Sequence, residues 1–254
     1  MPSVRIAAAG DVHADERGRA RIEAAFARVR DAADIVLLAG DLTTHGDPAE
    51  ALVLGDACRD LGIPVFAVLG NHDWHTDRAA AVTSVLEDAG VVVLERAAAT
   101  CDVNSTRVGI AGTKGFVGGF PGSSLPDFGE PLLRDVYAET GRDVDALEAA
   151  LTSIDGCPLR IVLLHYSPTM STLAGEPETI WTFLGTNRLD GPIQKHKPHL
   201  VLHGHAHQGT FAGSVGAVPV YNVAVHVTGR DFFVFDLDSD APDARGAKLE
   251  APAL

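Results

Sequence analysis

At 254 residues and 46% hydrophobic, the chain can bury a substantial core as one or two domains, and its 21% of charged residues is not a disordered composition. Its 34 acidic residues outweigh 20 basic ones, a formal net charge of −14, and no run of Lys or Arg interrupts the excess. Long DNA or RNA calls for a basic surface that neutralises phosphates, so this balance argues against a polymeric nucleic-acid partner and leaves a small phosphorylated one open.

The first ninety residues alternate apolar runs with amphipathic ones, the pattern of βαβ units. Residues 4–9 read as a strand, 18–32 as a helix and 35–39 as a strand. A helix over 48–61 takes Asp47 as its N-cap, Pro48 in its first turn and Gly62 at its end. A strand over 63–69, a helix over 78–89 and a strand over 91–94 follow. Residues 107–111 read as a strand, whereas 112–129 are rich in Gly, Pro and Phe and show no period. Helical character returns over 132–154, with an interruption expected near Gly141. Residues 160–164 form a buried-type strand, and 167–192 are irregular. Strands over 200–203, 218–225 and 232–237 close the pattern. Residues 1–237 thus read as one folded domain and 238–254 as a loose tail. The stretches 112–129 and 167–192 adjoin motif residues and are candidate walls of a cleft.

No apolar stretch approaches the roughly 18 residues that span a bilayer, so no membrane partner is expected. Residues 1–10 lack a basic region followed by an apolar segment and a cleavage site, which makes the cytoplasm the expected location. Cys58, Cys101 and Cys157 are odd in number and far apart, and read as small buried hydrophobes.

Five short motifs carry the chemistry: Asp11-Val12-His13, Gly40-Asp41, Gly70-Asn71-His72-Asp73, His165 and Gly204-His205-Ala206-His207. Most follow directly on an apolar, β-branched run, and strand ends hold donors at coordination distance without ordering a long loop. In Gly204-His205-Ala206-His207 the alternation of an extended segment puts both imidazoles on one side. Asp-x-His or Gly-Asp alone would pass for turn chemistry. All five together supply a ligand set for two adjacent metal ions. Oxygen and nitrogen donors without thiolate suit Mn, Fe, Zn, Co or Ni. Two such ions about 3.5–4 Å apart acidify a shared water and clamp phosphoryl oxygens, so hydrolysis of a phosphate ester by a bridging hydroxide is the expected reaction.

On these motifs the sequence resembles the calcineurin-like metallophosphoesterases, from the first strand to about Leu237. The resemblance implies an α/β fold, a four-layer α/β/β/α sandwich of two mixed β-sheets flanked by helices, with a dinuclear centre at the strand ends. It implies that Asp11, His13, Asp41 and His207 hold one metal and that Asp41, Asn71, His165 and His205 hold the other, Asp41 bridging. His72 resembles the family's catalytic histidine, which stabilises the transition state and protonates the leaving oxygen. Asp73 is then expected to orient His72 or another imidazole. Gly-Asn-His-Asp with Gly-Asp-Leu-Thr looks more like small bacterial phosphodiesterases than like Ser/Thr protein phosphatases. A phosphodiesterase acting on a small substrate, such as a cyclic nucleotide, is therefore expected. The nearest alternative is a phosphomonoesterase, and the next is a non-catalytic interaction module on the same fold. The oligomeric state is open, a homodimer included.

Three further residues are candidate substrate contacts. His45 follows Gly40-Asp41 in a loop that should overhang the metals. Lys114, beside Phe116 and Phe120, and Arg188, beside Trp181 and Asn187, lie in the irregular stretches. A cation there could hold phosphate and an aromatic ring could stack on a base. Among the other histidines, His203 reads as a hydrogen-bonded core residue, His75, His196 and His199 as loop or surface residues, and His226 is undecided.

Overall fold

The N-terminal alternation folds as successive βαβ units: β1 (Ser3–Ala9), α1 (Arg19–Ala32), β2 (Ile35–Ala39), α2 (Pro48–Cys58), β3 (Val65–Val68), α3 (Ala79–Asp88) and β4 (Val91–Val93). A hairpin of β5 (Ala97–Val103) and β6 (Thr106–Gly112) comes next, then the short pair β7 (Gly119–Phe120) and β8 (Ser123–Ser124) and the long helix α4 (Pro131–Ser153). The chain continues through β9 (Leu159–Leu163), α5 (Trp181–Leu184), α6 (Asp190–His196), β10 (Leu200–His203), β11 (Ala212–Val215), β12 (Val218–Asn222), α7 (Val225–Thr228) and β13 (Phe233–Asp238). This computed structural model describes residues 3–238; apart from Asp238, the tail expected over 238–254 lies outside them. None of the described helices is long and apolar enough to cross a membrane.

Two mixed sheets result. The first runs β13-β1-β2-β3-β4, parallel except for β13. The second runs β11-β12-β10-β9-β6-β5, with a parallel centre and antiparallel edges. The period of two in each strand divides its side chains between two interfaces. In β2, Val36 and Leu38 share a buried cluster with Ile22, Phe26 and Leu54 of α1 and α2. Ile35, Leu37 and Ala39 turn the other way, into a cluster with Ile110, Ile161, Leu202 and Phe235 from the second sheet and from β13. The outer face of the second sheet, carrying Val162, Val201 and Val220, is covered by Leu147, Leu151 and Ile193 of α4 and α6. The layers are α/β/β/α, as the resemblance implies.

The elements that differ from expectation have physical reasons. The strands β5 and β11 are half-exposed edges with short or polar side chains, so they lack the apolar run that marks the central strands. Between β5 and β6, Asn104 and Ser105 both have positive φ, 49° and 66°. That is the two-residue turn whose twist suits a hairpin. Helix α4 passes through Gly141 unbroken. A Cβ at that position would lie 3.1 Å from Arg188 Nη2, so the missing side chain makes room for that guanidinium.

Leu37 is fully buried in the apolar layer between the sheets, so truncation there leaves a cavity. Leu37→Ala is expected to lower the unfolding free energy by about 2–5 kcal/mol, read from the denaturation midpoint at unchanged m-value.

Candidate metal centre

The central strands of both sheets run parallel, so their carboxyl ends meet along one edge of the sandwich. Asp11 follows β1, Asp41 follows β2, Asn71 and His72 follow β3, His165 follows β9, and His205 and His207 follow β10. Four of these donors have left-handed backbone: Asp11 (φ 59°), His13 (46°), Asp41 (49°) and His205 (69°). Non-glycine residues seldom adopt that region, and such strain collects at functional sites. It is held by hydrogen bonds between neighbouring loops: Asp11 N–H donates to the Gly40 carbonyl at 2.9 Å and His13 N–H to the Asp41 carbonyl at 3.0 Å.

Two groups of donors form there and share one residue. Ligand atoms of Asp11, His13, Asp41 and His207 lie within 4.8 Å of one another, and so do those of Asp41, His165 and His205. The amide oxygen of Asn71 lies 2.9 Å from His165 Nε2, beside the second group. Asp11 and Asp41 are buried, and burial pushes the Asp11 carboxyl up from its usual range. Among the described residues no Lys or Arg pairs with either carboxylate; the ion-pair partners are imidazoles, with His207 Nε2 2.9 Å from Asp11 and His165 Nε2 3.4 Å from Asp41. These rings are poorly placed to supply positive charge, since burial lowers the pKa of His13, drives that of His165 far down and takes His205 to about 3. Only His207 is raised, by its hydrogen bond to Asp11.

The rings are also oriented from behind. A carbonyl accepts only, so His165 Nδ1 donates to Ala39 at 2.9 Å and its Nε2 lone pair faces the Asn71 and Asp41 oxygens. His205 Nε2 donates to the Phe183 carbonyl at 3.1 Å, which leaves Nδ1 as its lone pair. The His165 and His205 lone pairs stand beside buried carboxylates that no Lys or Arg among the described residues neutralises, an arrangement that fits divalent metal ions.

Behind the donors, Asp73 links two loops. Its buried carboxylate accepts from Gly70 N–H (2.7 Å), Leu42 N–H (3.1 Å), Thr43 N–H (2.8 Å) and Thr43 Oγ1 (2.6 Å). Burial still raises its pKa to about 6. The expectation that Asp73 orients an imidazole is corrected, because all four of its partners are backbone amides and a hydroxyl. His72 is oriented by a carbonyl: its Nδ1 donates to Thr44 at 2.8 Å, and its Nε2 lies 3.9 Å from Asp41 Oδ2. Gly70 makes this packing possible, since a Cβ there would fall 2.1 Å from Asp41 Oδ1.

The candidate substrate contacts separate. Lys114 lines a cavity of about 400 Å³ beside Asn71, together with Trp74, Phe116 and Tyr166. Its Nζ lies 4.4 Å from the Phe116 ring centre and 5.2 Å from that of Tyr166. His45 is 70% exposed and turned to Glu50, 2.8 Å from Nδ1. Arg188 donates to the Tyr137 carbonyl at 2.8 Å and stacks on the Tyr137 ring, so it ties its loop to α4 and is not brought to the donors. Two further residues stand at the site: Tyr166, which the sequence does not single out, and His226, which it leaves undecided. Tyr166 lies 4.4 Å from His205, ring centre to ring centre, and His226 stacks on His207 at 4.1 Å. Tyr166 could have been suspected from its place beside His165; His226 follows a strand end by several residues, which is little signal.

The family model for calcineurin-like phosphoesterases matches residues 4–209. The chain belongs to that family. It is a phosphoesterase, and the dinuclear centre typical of the family corresponds to the two donor groups around Asp41. The fold recurs in phosphopantetheinyl hydrolase from Mycobacterium tuberculosis, at TM-score 0.64 and 15% identity over 89% of this chain and 92% of that one. It recurs in TT1561 of Thermus thermophilus, at 0.56 and 20% over 94% and 95%. GAP50, the anchor in the inner membrane complex of Plasmodium, shares it at 0.60 and 13% over 94% and 82%. At these identities the likeness is one of fold. No curated protein matches the sequence significantly.

Two substitutions in this phosphoesterase test the support behind the donors. Asp73→Asn replaces an all-acceptor carboxylate by an amide that turns a donor toward N–H groups. It is expected to weaken Mn²⁺ binding by about 10–100-fold in calorimetric titration while leaving the fold intact. Gly70→Ala drives a methyl group into Asp41 and is expected to abolish stoichiometric metal binding altogether.

Proposed function

We propose that this phosphoesterase is a phosphodiesterase acting on a small organic phosphate ester, with a cyclic nucleotide as one substrate of that size and chemistry. The reading rests above all on the two donor groups that share the buried Asp41. In it, Asp11, His13, Asp41 and His207 hold one metal ion and Asp41, Asn71, His165 and His205 a second. The bound ions, Mn, Fe, Zn, Co or Ni, supply Lewis acidity and an acidified water. The residues around them do the rest. The Thr44 carbonyl fixes a proton on His72 Nδ1, so Nε2 is the nitrogen left to face the leaving oxygen, and it gives a proton there when the ring enters the reaction as an imidazolium. Asp73 holds the loops of Asp41 and Asn71 together and is a positioning residue.

The diester preference is supported by the cavity beside Asn71. A diester carries two organic groups, and a space of about 400 Å³ walled by Trp74, Phe116 and Tyr166, and lined also by Glu95, Arg96 and Glu139, can seat one of them. The Lys114 ammonium, held by a single hydrogen bond to the Gly115 carbonyl at 3.1 Å, retains donors for that group or for a phosphoryl oxygen. His45 and Arg188 have other partners and are left out of the substrate site. A cytoplasmic location, one catalytic domain over residues 1–237 and no long nucleic-acid partner complete the proposal.

The metal-reconstituted protein is to be assayed on bis-p-nitrophenyl phosphate, cyclic nucleotides and p-nitrophenyl phosphate. At least one diester should exceed the monoester in kcat/KM, chelation should remove activity, and His72→Ala should lower kcat by about 10²–10⁴. Faster turnover of monoesters would replace the diesterase by a phosphomonoesterase. No turnover with any of the five metals would favour an interaction module. Phe116→Ala should raise KM for aromatic esters while largely sparing kcat.

A further inference from the structure

On the other side of the centre, away from Asn71, lies a second cavity of about 400 Å³. It is walled by Arg21 and Arg28 of α1 and by His226, Arg230 and Asp231 from the turn of α7 into β13. Its floor includes Phe232, whose ring packs edge-on against Phe26 of α1 at 5.0 Å between centres. Two contacts make it continuous with the metal centre. His226 stacks on His207 at 4.1 Å and lies 6.1 Å from His13. Arg21 Nη2 donates to the Val12 carbonyl, between Asp11 and His13, at 3.4 Å.

The charge here is unusual for the molecule. In a chain of net charge −14, the guanidinium groups of Arg21, Arg28 and Arg230 all line this space, together with the carboxylate of Asp231. Asp231 fixes two of them: Oδ1 accepts from Arg21 Nη1 at 2.7 Å and Oδ2 from Arg28 Nη2 at 3.0 Å. It therefore acts as a spacer that sets the two forks in place and uses one edge of each. Arg28 Nε and Nη1 have no protein partner among the described residues. The guanidinium fork matches a phosphate in two-point hydrogen bonding, and a cavity of this volume is of ligand size. Nothing in the linear sequence announces the cluster, because residues 21, 28 and 230 come together only through the packing of α1 against the β13 edge.

We propose that this cavity is a subsite for a second phosphate of the substrate, so that the favoured substrates are phosphate esters bearing a further phosphoryl group next to the one that is hydrolysed. The inference rests on the phosphoesterase reading of the adjacent centre. The reacting phosphoryl group lies at the metal donors, the second phosphate crosses His226, and Arg21 and Arg28 hold it. An arginine-lined cavity also draws a dianionic substrate toward an otherwise acidic protein.

Two readouts on the metal-loaded protein test this. The first is calorimetric binding of thymidine 3′,5′-bisphosphate against thymidine 5′-monophosphate. The second is hydrolysis of thymidine 5′-(p-nitrophenyl phosphate) with and without a 3′-phosphate. The extra phosphate is expected to tighten binding and raise kcat/KM at least tenfold at low salt. That advantage should shrink to under threefold in Arg28→Gln and return in Arg28→Lys. Equal binding of the two nucleotides, or an advantage unchanged in Arg28→Gln and in Arg21→Gln, overturns the subsite. Preferential binding of the bisphosphate without hydrolysis of either ester leaves the subsite standing and sinks the phosphodiesterase reading instead.

Discussion

Two carboxylates, Asp11 and Asp41, are buried at the head of the sandwich, and their hydrogen-bond and ion-pair partners among the described residues are imidazoles and backbone amides. Burying unpaired charge is among the most costly things a fold can do. Here the cost is accepted at four left-handed backbone positions and offset by hydrogen bonds between loops from different strands. No compensating Lys or Arg is supplied among the described residues. The arrangement makes chemical sense when the missing positive charge comes from metal ions, which is why the local strain, the glycine contacts and the ring orientations all follow from the same constraint.

Several hydrogen bonds join the two sheets at this centre, among them Gly10 N–H to the Val223 carbonyl and His205 N–H to Asp11, and one of them places a donor ring. His165 belongs to the second sheet, yet its Nδ1 donates to the carbonyl of Ala39, the last residue of β2 in the first. Gly40 lies directly beneath the ring, where a Cβ would fall 2.5 Å from Nδ1. Ala39 also belongs to the apolar layer between the sheets. The spacing of that layer therefore sets where His165 stands relative to Asp41, and a change in core packing is passed into the donor geometry. Asp73 does the equivalent within the first sheet by tying the turns after β2 and β3.

The layered fold was legible because central parallel strands are buried on both faces and read as continuous apolar runs, as in Ile35–Ala39. The candidate donor groups were legible because turn residues after such runs are short and chemically distinctive. What could not be read was whatever depends on a neighbour distant in sequence. The orienting partners of His72 and His205 are carbonyls of Thr44 and Phe183, and a carbonyl carries no residue identity. Asp73 looks in sequence like a partner for the adjacent His72, but the turn points it back into the loops instead. Arg188 is a cation in a promising loop, yet its fate is decided by Tyr137 of α4. The edge strands β5 and β11 escaped for the opposite reason, since partial exposure removes the hydrophobic pattern itself.

The distribution of cations follows from the same electrostatics. A Lys or Arg touching Asp11 or Asp41 would pair with the carboxylate and compete with a dication for it. The sequence keeps its cations one layer away. Lys114 stands beyond Asn71 against the Phe116 and Tyr166 rings, and Arg21 reaches only the Val12 carbonyl while Asp231 holds its other edge. So placed, they leave the donors open to metal and present their charge to whatever lies on either side of it. Net charge alone, at −14, would suggest a surface hostile to phosphate. At the range of a Debye length, roughly 8 Å in physiological salt, an incoming anion responds to the nearest groups more than to the total. The acidic surface disfavours an extended polyanion that must lie across it, whereas the cationic walls around the centre still admit a small one.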